Sequence, residues 1–342
     1  MKKQLCLLLL LLPFGALFSQ TDNTFLWRIT NPANDSNSYL FGTIHLPQEK
    51  FMRLPDSVYS AVNQTAVFYN EINFAGMANE TEEIMAFSTK RLREMDSIRQ
   101  TPSWRRLVAA VNEHYHQKIN PDSMEQFNSF GIKLLQEWYA PEPGVPPLDM
   151  ALMALAMGLG KPTKGLERAV FQIQMMHQLL DLRLADTTLL FDADLAMTRD
   201  LARQYEHKAL DSVGVLVNNI NPLYRRVVFD GRNRTMADSI AKVIKNNTAF
   251  FAIGAGHLTG PDGLIALLRN KGFLVRPVFS DNAVSVTLMG QIFQTMARNM
   301  RLELKKKDDD FVAPPPPPSF NPPGVKIKLA PKAKATRKTK KS

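Results

Sequence analysis

Apolar and polar positions alternate over Thr24–Ile29 around Leu26 and Trp27. Turn-forming Asn31-Pro32-Ala33-Asn34-Asp35 follows, and an apolar run resumes over Asn37–Phe41. Two such runs about a polar turn predict a β-hairpin. Pro55-Asp56-Ser57 opens a short helix to about Asn63, and Ala66-Val67-Phe68-Tyr69-Asn70-Glu71-Ile72 reads as a strand. From about Asn79 to Tyr139, and again from Leu148 to Leu159, apolar residues recur at helical spacing. Another helical pattern begins at Leu166-Glu167 and runs through Leu180, with further helices over Asp192–Leu201 and Val227–Ile244. The six-residue apolar run Thr248–Ile253 enters Gly254-Ala255-Gly256-His257-Leu258, a helix covers Pro261–Asn270, and Gly272 introduces a last strand. The pattern predicts an α/β (α+β) fold: a central mixed sheet formed by the N- and C-terminal segments, with a large helical insertion between them.

The two ends depart from this pattern. Met1-Lys2-Lys3-Gln4, an apolar run from Leu5 to Leu12, and then Pro13, Gly15, Ala16 and Ser19-Gln20 have the three-part layout of a secretory signal peptide over 1–20. The run is shorter than the roughly 20 residues a membrane-spanning helix needs, so an exported protein is expected, periplasmic, held in the cell envelope or secreted. The folded domain is expected over 21–304. Beyond it, 305–342 carries five consecutive prolines from Pro314 to Pro318 and then a lysine-rich end, the composition of a disordered tether.

Charge changes the picture only in its location. The formal charge is +10, but the eight cations from Lys326 onward, with Lys2 and Lys3, account for all of it. The domain itself is near neutral and no nucleic-acid partner is expected. The basic tail is suited to acidic envelope polymers or an anionic membrane surface. The single cysteine, Cys6, leaves with the signal, so neither disulfides nor thiolate ligands serve the mature chain, and any metal is held by nitrogen and oxygen. Many of the sixteen methionines sit in the central helical region and read as core filling at helical spacing rather than as a metal or haem box.

Two stretches more than two hundred residues apart match: Phe41-Gly42-Thr43-Ile44-His45-Leu46 and Ile253-Gly254-Ala255-Gly256-His257-Leu258. Each ends an apolar strand. A glycine there permits a tight turn or a close approach, and the histidine three residues on projects from the strand's C-terminal edge, where α/β sheets bind ligands. A pseudo-two-fold relating the halves would bring His45 and His257 together as imidazole ligands, which need carboxylates to complete a divalent site. Glu71 near a strand end and Glu167 at an expected helix start stand out by position, and Arg232-Asn233 offers a carboxylate- or oxyanion-binding pair. A buried-turn role for each histidine, a solvated edge for each glutamate and a surface salt bridge for Arg232 are the ordinary alternatives. There is no His-Glu-x-x-His and no Gly-x-Ser-x-Gly, and the glycine spacing after Ile253 fits a dinucleotide loop poorly. His114 and His116, two apart on a helix, face different sides and are expected at the surface.

The ordered set Tyr39-Leu40-Phe41-Gly42-Thr43-Ile44-His45-Leu46, Glu71, Leu148-Asp149, Gly165-Leu166-Glu167, Arg232-Asn233 and Gly254-Ala255-Gly256-His257-Leu258-Thr259-Gly260 resembles the TraB/PrgY/GumN family, whose eukaryotic relatives include the Tiki proteases. The resemblance runs from about Phe25 to Val278. It implies a fold similar to erythromycin-esterase and haem-binding ChaN-like proteins, and metal-dependent proteolysis of a peptide or protein substrate. The paired Gly-x-x-His motifs map onto Gly42 to His45 and Gly254 to His257, and the family's acidic positions onto Glu71 and Glu167. On this reading His45, His257 and Glu71 hold a divalent ion such as manganese, cobalt or zinc. A glutamate serves as general base, Arg232 stabilises the oxyanion, and Gly42, Gly254 and Asn233 complete the binding surface. A non-catalytic protein that sequesters a peptide or haem in the same cleft is the alternative.

Overall fold

The computed structural model describes residues 23–73, 76–187 and 195–286, excepting the side chains of Leu135, Trp138, Tyr139, Leu195 and Ala196. The expected signal peptide, the tail and the first residues of the helix expected from Asp192 lie outside these.

Among the described residues eight strands form: β1 (Leu26–Asn31), β2 (Ser36–Thr43), β3 (Arg53–Pro55), β4 (Val67–Ile72), β5 (Thr163–Glu167), β6 (Ala249–Gly254), β7 (Leu274–Pro277) and β8 (Ala283–Ser285). Six make one mixed sheet in the order β5-β4-β6-β2-β1-β7, and β3 and β8 pair separately. β5, β4, β6 and β2 are mutually parallel, while β1 is antiparallel to both β2 and β7. The expected hairpin is β1 with β2, in the register Leu26 to Phe41. β6, Ala-Phe-Phe-Ala-Ile-Gly, is buried at every position. A continuous apolar strand is what the middle of a parallel sheet covered on both faces requires.

Eleven helices are described: α1 (Asp56–Gln64), α2 (Thr81–Ile98), α3 (Pro102–His114), α4 (Met124–Tyr139), α5 (Leu148–Gly158), α6 (Ala169–Ala185), α7 (Leu195–Glu206), α8 (Leu210–Asn219), α9 (Pro222–Arg225), α10 (Gly231–Val243) and α11 (Leu264–Asn270). α5 packs against β4, β5 and β6, and α1 against β2. α3 starts at a defined point because Thr101 Oγ1 accepts the N–H of Trp104, with Pro102 in the first turn. Its apolar face joins a second core, in which Trp104, fully buried, donates from Nε1 to Pro121 O at 2.7 Å.

The helical insertion is interrupted by a strand. Thr163–Glu167 pairs in parallel with β4, and the helix expected from Leu166 begins only at Ala169. Leu166 and Glu167 thus close β5, because strand pairing outweighs the local helical spacing. The helix expected over Val227–Ile244 contains a π turn at Arg226–Asp230, between α9 and α10. α8, α9 and the short β3–β8 pair are elements the sequence pattern did not yield. His114 and His116 are exposed, as expected.

Candidate active site at the C-terminal edge of the parallel strands

Because β5, β4, β6 and β2 run the same way, their C-terminal ends share one edge of the sheet. That edge receives His45, two residues past β2, Glu71 on β4, Glu167 closing β5, and His257, three residues past the end of β6. The two Gly-x-x-His turns therefore lie side by side on neighbouring parallel strands. The turns are out of step by one position, since Gly42 pairs with Ile253 and Thr43 with Gly254. The slip gives the histidines different surroundings. The His45 side chain is 48% exposed, whereas that of His257 is 6% exposed.

Glu71 joins the two turns. Its Oε1 accepts the backbone N–H of Gly254 at 2.7 Å and lies 3.9 Å from His45 Nε2 and 3.8 Å from His257 Nε2. Gly254 is needed for the approach. A Cβ there would stand 3.0 Å from Glu71 Oε1, 3.3 Å from His45 Nε2 and 3.6 Å from His257 Cδ2, filling the space the three side chains enclose. Its φ of −50° suits any residue, so close approach, not turn conformation, fixes the glycine.

The far nitrogen of each ring is held. Asn233 Nδ2 donates to Asp262 O at 2.8 Å, which turns its Oδ1 toward His257 Nδ1 at 2.6 Å. Nδ1 is therefore the protonated nitrogen, and Nε2 presents a lone pair, on which Arg232 Nη1 sits at 3.3 Å. His45 Nδ1 lies 3.3 Å from Asp149 Oδ1, at the start of α5, leaving Nε2 directed at Glu71. Acceptors behind both rings orient imidazoles as they do in metal sites.

Arg232 binds the protein's own carboxylates. Nη2 donates to Glu71 Oε2 and to Glu167 Oε2, each at 2.7 Å, and Nε reaches both Glu167 oxygens at 3.0 Å. Gln172 Nε2 bridges the same pair, at 3.3 Å from Glu71 and 3.2 Å from Glu167. Neither glutamate is the solvated strand edge, nor is Arg232 a surface pair: all three side chains are at most 15% exposed. The π turn before Arg232 aids this placement, since Val228, Phe229 and Arg232 line one cavity together.

Burial is the largest influence on the Glu71 carboxyl and opposes its charge. The two imidazoles, Arg232 and the Gly254 N–H outweigh it and hold the group at about 2. Burial likewise dominates at His257 and, with Arg232 and His45 adding to it against Glu71, takes the ring down to about 4. At His45 burial again acts against the charge, but Asp149 and then Glu71 overcome it and raise the ring to about 9.

Among the described residues, no three imidazole or carboxylate groups already stand together at coordination distances. The donor set nevertheless suits an ion. Two imidazole nitrogens, that of His45 once its proton is displaced, and one carboxylate oxygen face a common space, and donors on a tetrahedral ion at about 2.1 Å are separated by roughly 3.4 Å, a few tenths less than the two Glu71–imidazole spacings here. The residues present therefore fit a divalent ion after a small contraction.

Of the residues named from the sequence, His45, Glu71, His257, Gly254, Glu167, Arg232 and Asn233 meet at this edge. Gly42 lies behind it, where its C=O accepts the Tyr205 hydroxyl at 2.7 Å. Asp149, quoted only within the family pattern, and Gln172 carried no signal of their roles. The sixteen methionines are not all core filling, since Met175, Met176 and Met197 line the adjoining cavity.

The TraB/PrgY/gumN family model matches residues 25–277. Among curated proteins the chain is similar to metalloprotease TIKI2 of Danio rerio, 25% identical over 323 residues, covering 75% of this chain and 61% of the relative. It is 24% identical over 319 residues to metalloprotease TIKI1 of Xenopus tropicalis, covering 73% and 61%, and 23% identical over 317 residues to metalloprotease TIKI1 of Homo sapiens, covering 74% and 61%. The chain thus spans about three fifths of the length of these relatives. No solved structure matches significantly.

Proposed function

The chain belongs to the TraB/PrgY/gumN family, and from that premise we propose that it is a metal-dependent hydrolase acting on peptides, with His45, His257 and Glu71 as the ion's ligands. One observation carries the reading: both imidazoles direct Nε2 at the same Glu71 oxygen, with the hydrogen-bonded Asn233 amide behind one ring and the Asp149 carboxylate behind the other. The relatives named metalloproteases support the reaction class.

A divalent ion in this position polarises a carbonyl and acidifies water. Everything else falls to the chain. Asp149 and Asn233 fix the ring orientations, and Gln172 and Arg232 fix the carboxylates. Glu71 lines the cavity and faces the ion's space, whereas Glu167, with both oxygens on Arg232, serves as the guanidinium's anchor. Arg232 Nη1 donates to Val228 O and to His257 Nε2. When that lone pair turns to an ion, one Nη1 hydrogen is released at the cavity and becomes available to a developing oxyanion. Among the described residues no helix is long and apolar enough to cross a membrane. Export, with the basic tail contacting an acidic envelope surface, remains part of the proposal.

The test is to load the mature protein with manganese, cobalt or zinc, then measure bound metal and the hydrolysis of an unstructured peptide, in wild type and in His45→Ala and His257→Ala. Both properties are expected to vanish in both variants. A wild type that binds no ion, or binding that depends on one histidine alone, would favour the non-catalytic peptide- or haem-binding reading.

A further inference from the structure

A cavity of about 370 Å³ opens from the imidazole–carboxylate cluster, within the range of small-ligand sites. Its character changes along its length. At one end stand His45, Glu71, Arg232 and His257, the only charged or imidazole groups among the described residues that line it. The remainder is walled mainly by Met175 and Met176 of α6, Met197 and Leu201 of α7, Leu216 of α8 and Phe229 of the π turn. Met176 is 58% exposed, placing it at the rim.

A second observation lies at Thr43, the last residue of β2, which is 2% exposed and lines the cavity, and whose Oγ1 has no hydrogen-bond partner among the described residues. A buried hydroxyl left unpaired costs free energy that a ligand's amide would recover. It stands two residues before His45, beside the groups proposed to act on a carbonyl.

We propose that this cavity is the side-chain subsite of the enzyme: it takes one bulky apolar residue not branched at Cβ, Leu, Met or Phe, of an extended peptide, while the Thr43 hydroxyl hydrogen-bonds the backbone amide beside it. The inference rests on the peptidase reading and adds the substrate class. An apolar wall leaves a charged side chain desolvated with no partner beyond the polar end. Three thioethers adapt to differing shapes, so the pocket selects for apolar bulk and not for one residue. Met197 and Leu201 set the side-chain preference, and Thr43 contributes equally to every peptide.

The experiment uses fluorescein-labelled nine-residue Gly/Ser peptides with one central residue, Ala, Leu, Met, Phe, Lys or Asp, binding to the mature full-length chain by anisotropy, with and without manganese. Wild type is expected to bind the Leu, Met and Phe peptides at least about tenfold tighter than the Ala peptide. Met197→Asp is expected to bring the ratio of Leu, Met and Phe binding to Ala binding toward one, and Thr43→Val to weaken all peptides alike with the preference intact. Leu201→Asp, judged by the same ratios, substitutes if Met197→Asp melts early. Equal binding of all peptides, absence of binding, or a preference that survives in both Asp variants overturns the inference. Hydrolysis is read separately: apolar preference without cleavage defeats the peptidase reading and leaves the subsite standing.

Discussion

The N–H of Gly254 donates to Glu71 Oε1 at 2.7 Å, fastening the end of one parallel strand to a carboxylate on its neighbour. The same glycine leaves room for His45 Nε2, so the constellation at the sheet edge depends on one missing side chain.

Gly254→Ala is therefore expected to act on the site more than on the fold. Its φ accommodates alanine, and overpacking of this kind costs about 1–3 kcal/mol. Manganese affinity, by titration calorimetry, should fall at least about tenfold, because the added methyl occupies the space between the donors. Unchanged affinity would remove Glu71 and His45 from the ligand set.

Arg232 is the counter-cation of two buried carboxylates. Removing it in Arg232→Met strands both, and breaking a buried pair costs on the order of 3–5 kcal/mol. A divalent ion offers the charge that the guanidinium no longer supplies. Manganese should accordingly raise the melting temperature of Arg232→Met by more than it raises that of wild type. An equal or smaller rise would show that the guanidinium and the ion do not share these carboxylates.

The metal-free protein should be most stable near pH 6.5. Glu71 is held at about 2 against an ordinary 4.5, and His257 at about 4 against 6.5. Both contributions are complete above the unfolded values. That of His257 is lost as pH falls from 6.5 through 4, and that of Glu71 from 4.5 through 2. His45, raised from 6.5 to about 9, contributes stability that is full below 6.5 and lost as pH rises through 9. Its half-exposed ring makes the alkaline arm the shallower. Urea unfolding from pH 3 to 10 reads both arms, and His257→Gln should flatten the acid arm between pH 6.5 and 4.

Much of this site could be read along the chain because two strand ends carry the same punctuation. Gly42 to His45 and Gly254 to His257 mark their own positions, and Glu71 follows an apolar run that can hardly be other than a strand. Glu167 was harder. Its surroundings carry helical spacing, and only pairing with β4 makes Thr163–Glu167 a strand, a long-range fact no local window contains. Asp149 and Gln172 lie on helices with no motif around them, and their roles exist only through what the fold sets opposite: His45 for one, the two glutamates for the other. The methionines misled for a related reason, since helical spacing does not distinguish a core face from a cavity wall.

The acceptors behind the two rings provide the last prediction. Asn233 Oδ1 at 2.6 Å from His257 Nδ1 selects the tautomer whose Nε2 carries the lone pair, and the Asp149 carboxylate at 3.3 Å from His45 Nδ1 pairs with the other ring by charge. Neither residue reaches the space between the donors, so both act by positioning. Asn233→Leu and Asp149→Asn are each expected to cost on the order of 10–100-fold in manganese affinity. The two differ in what they do to the rings. Asp149→Asn removes the carboxylate that raises His45, so the His45 titration by NMR should move down from about 9. Asn233→Asp introduces a charge beside His257 and should move its titration up from about 4. A merely structural role for either residue would alter the melting temperature without moving these titrations, and that result would take the positioning role away from both.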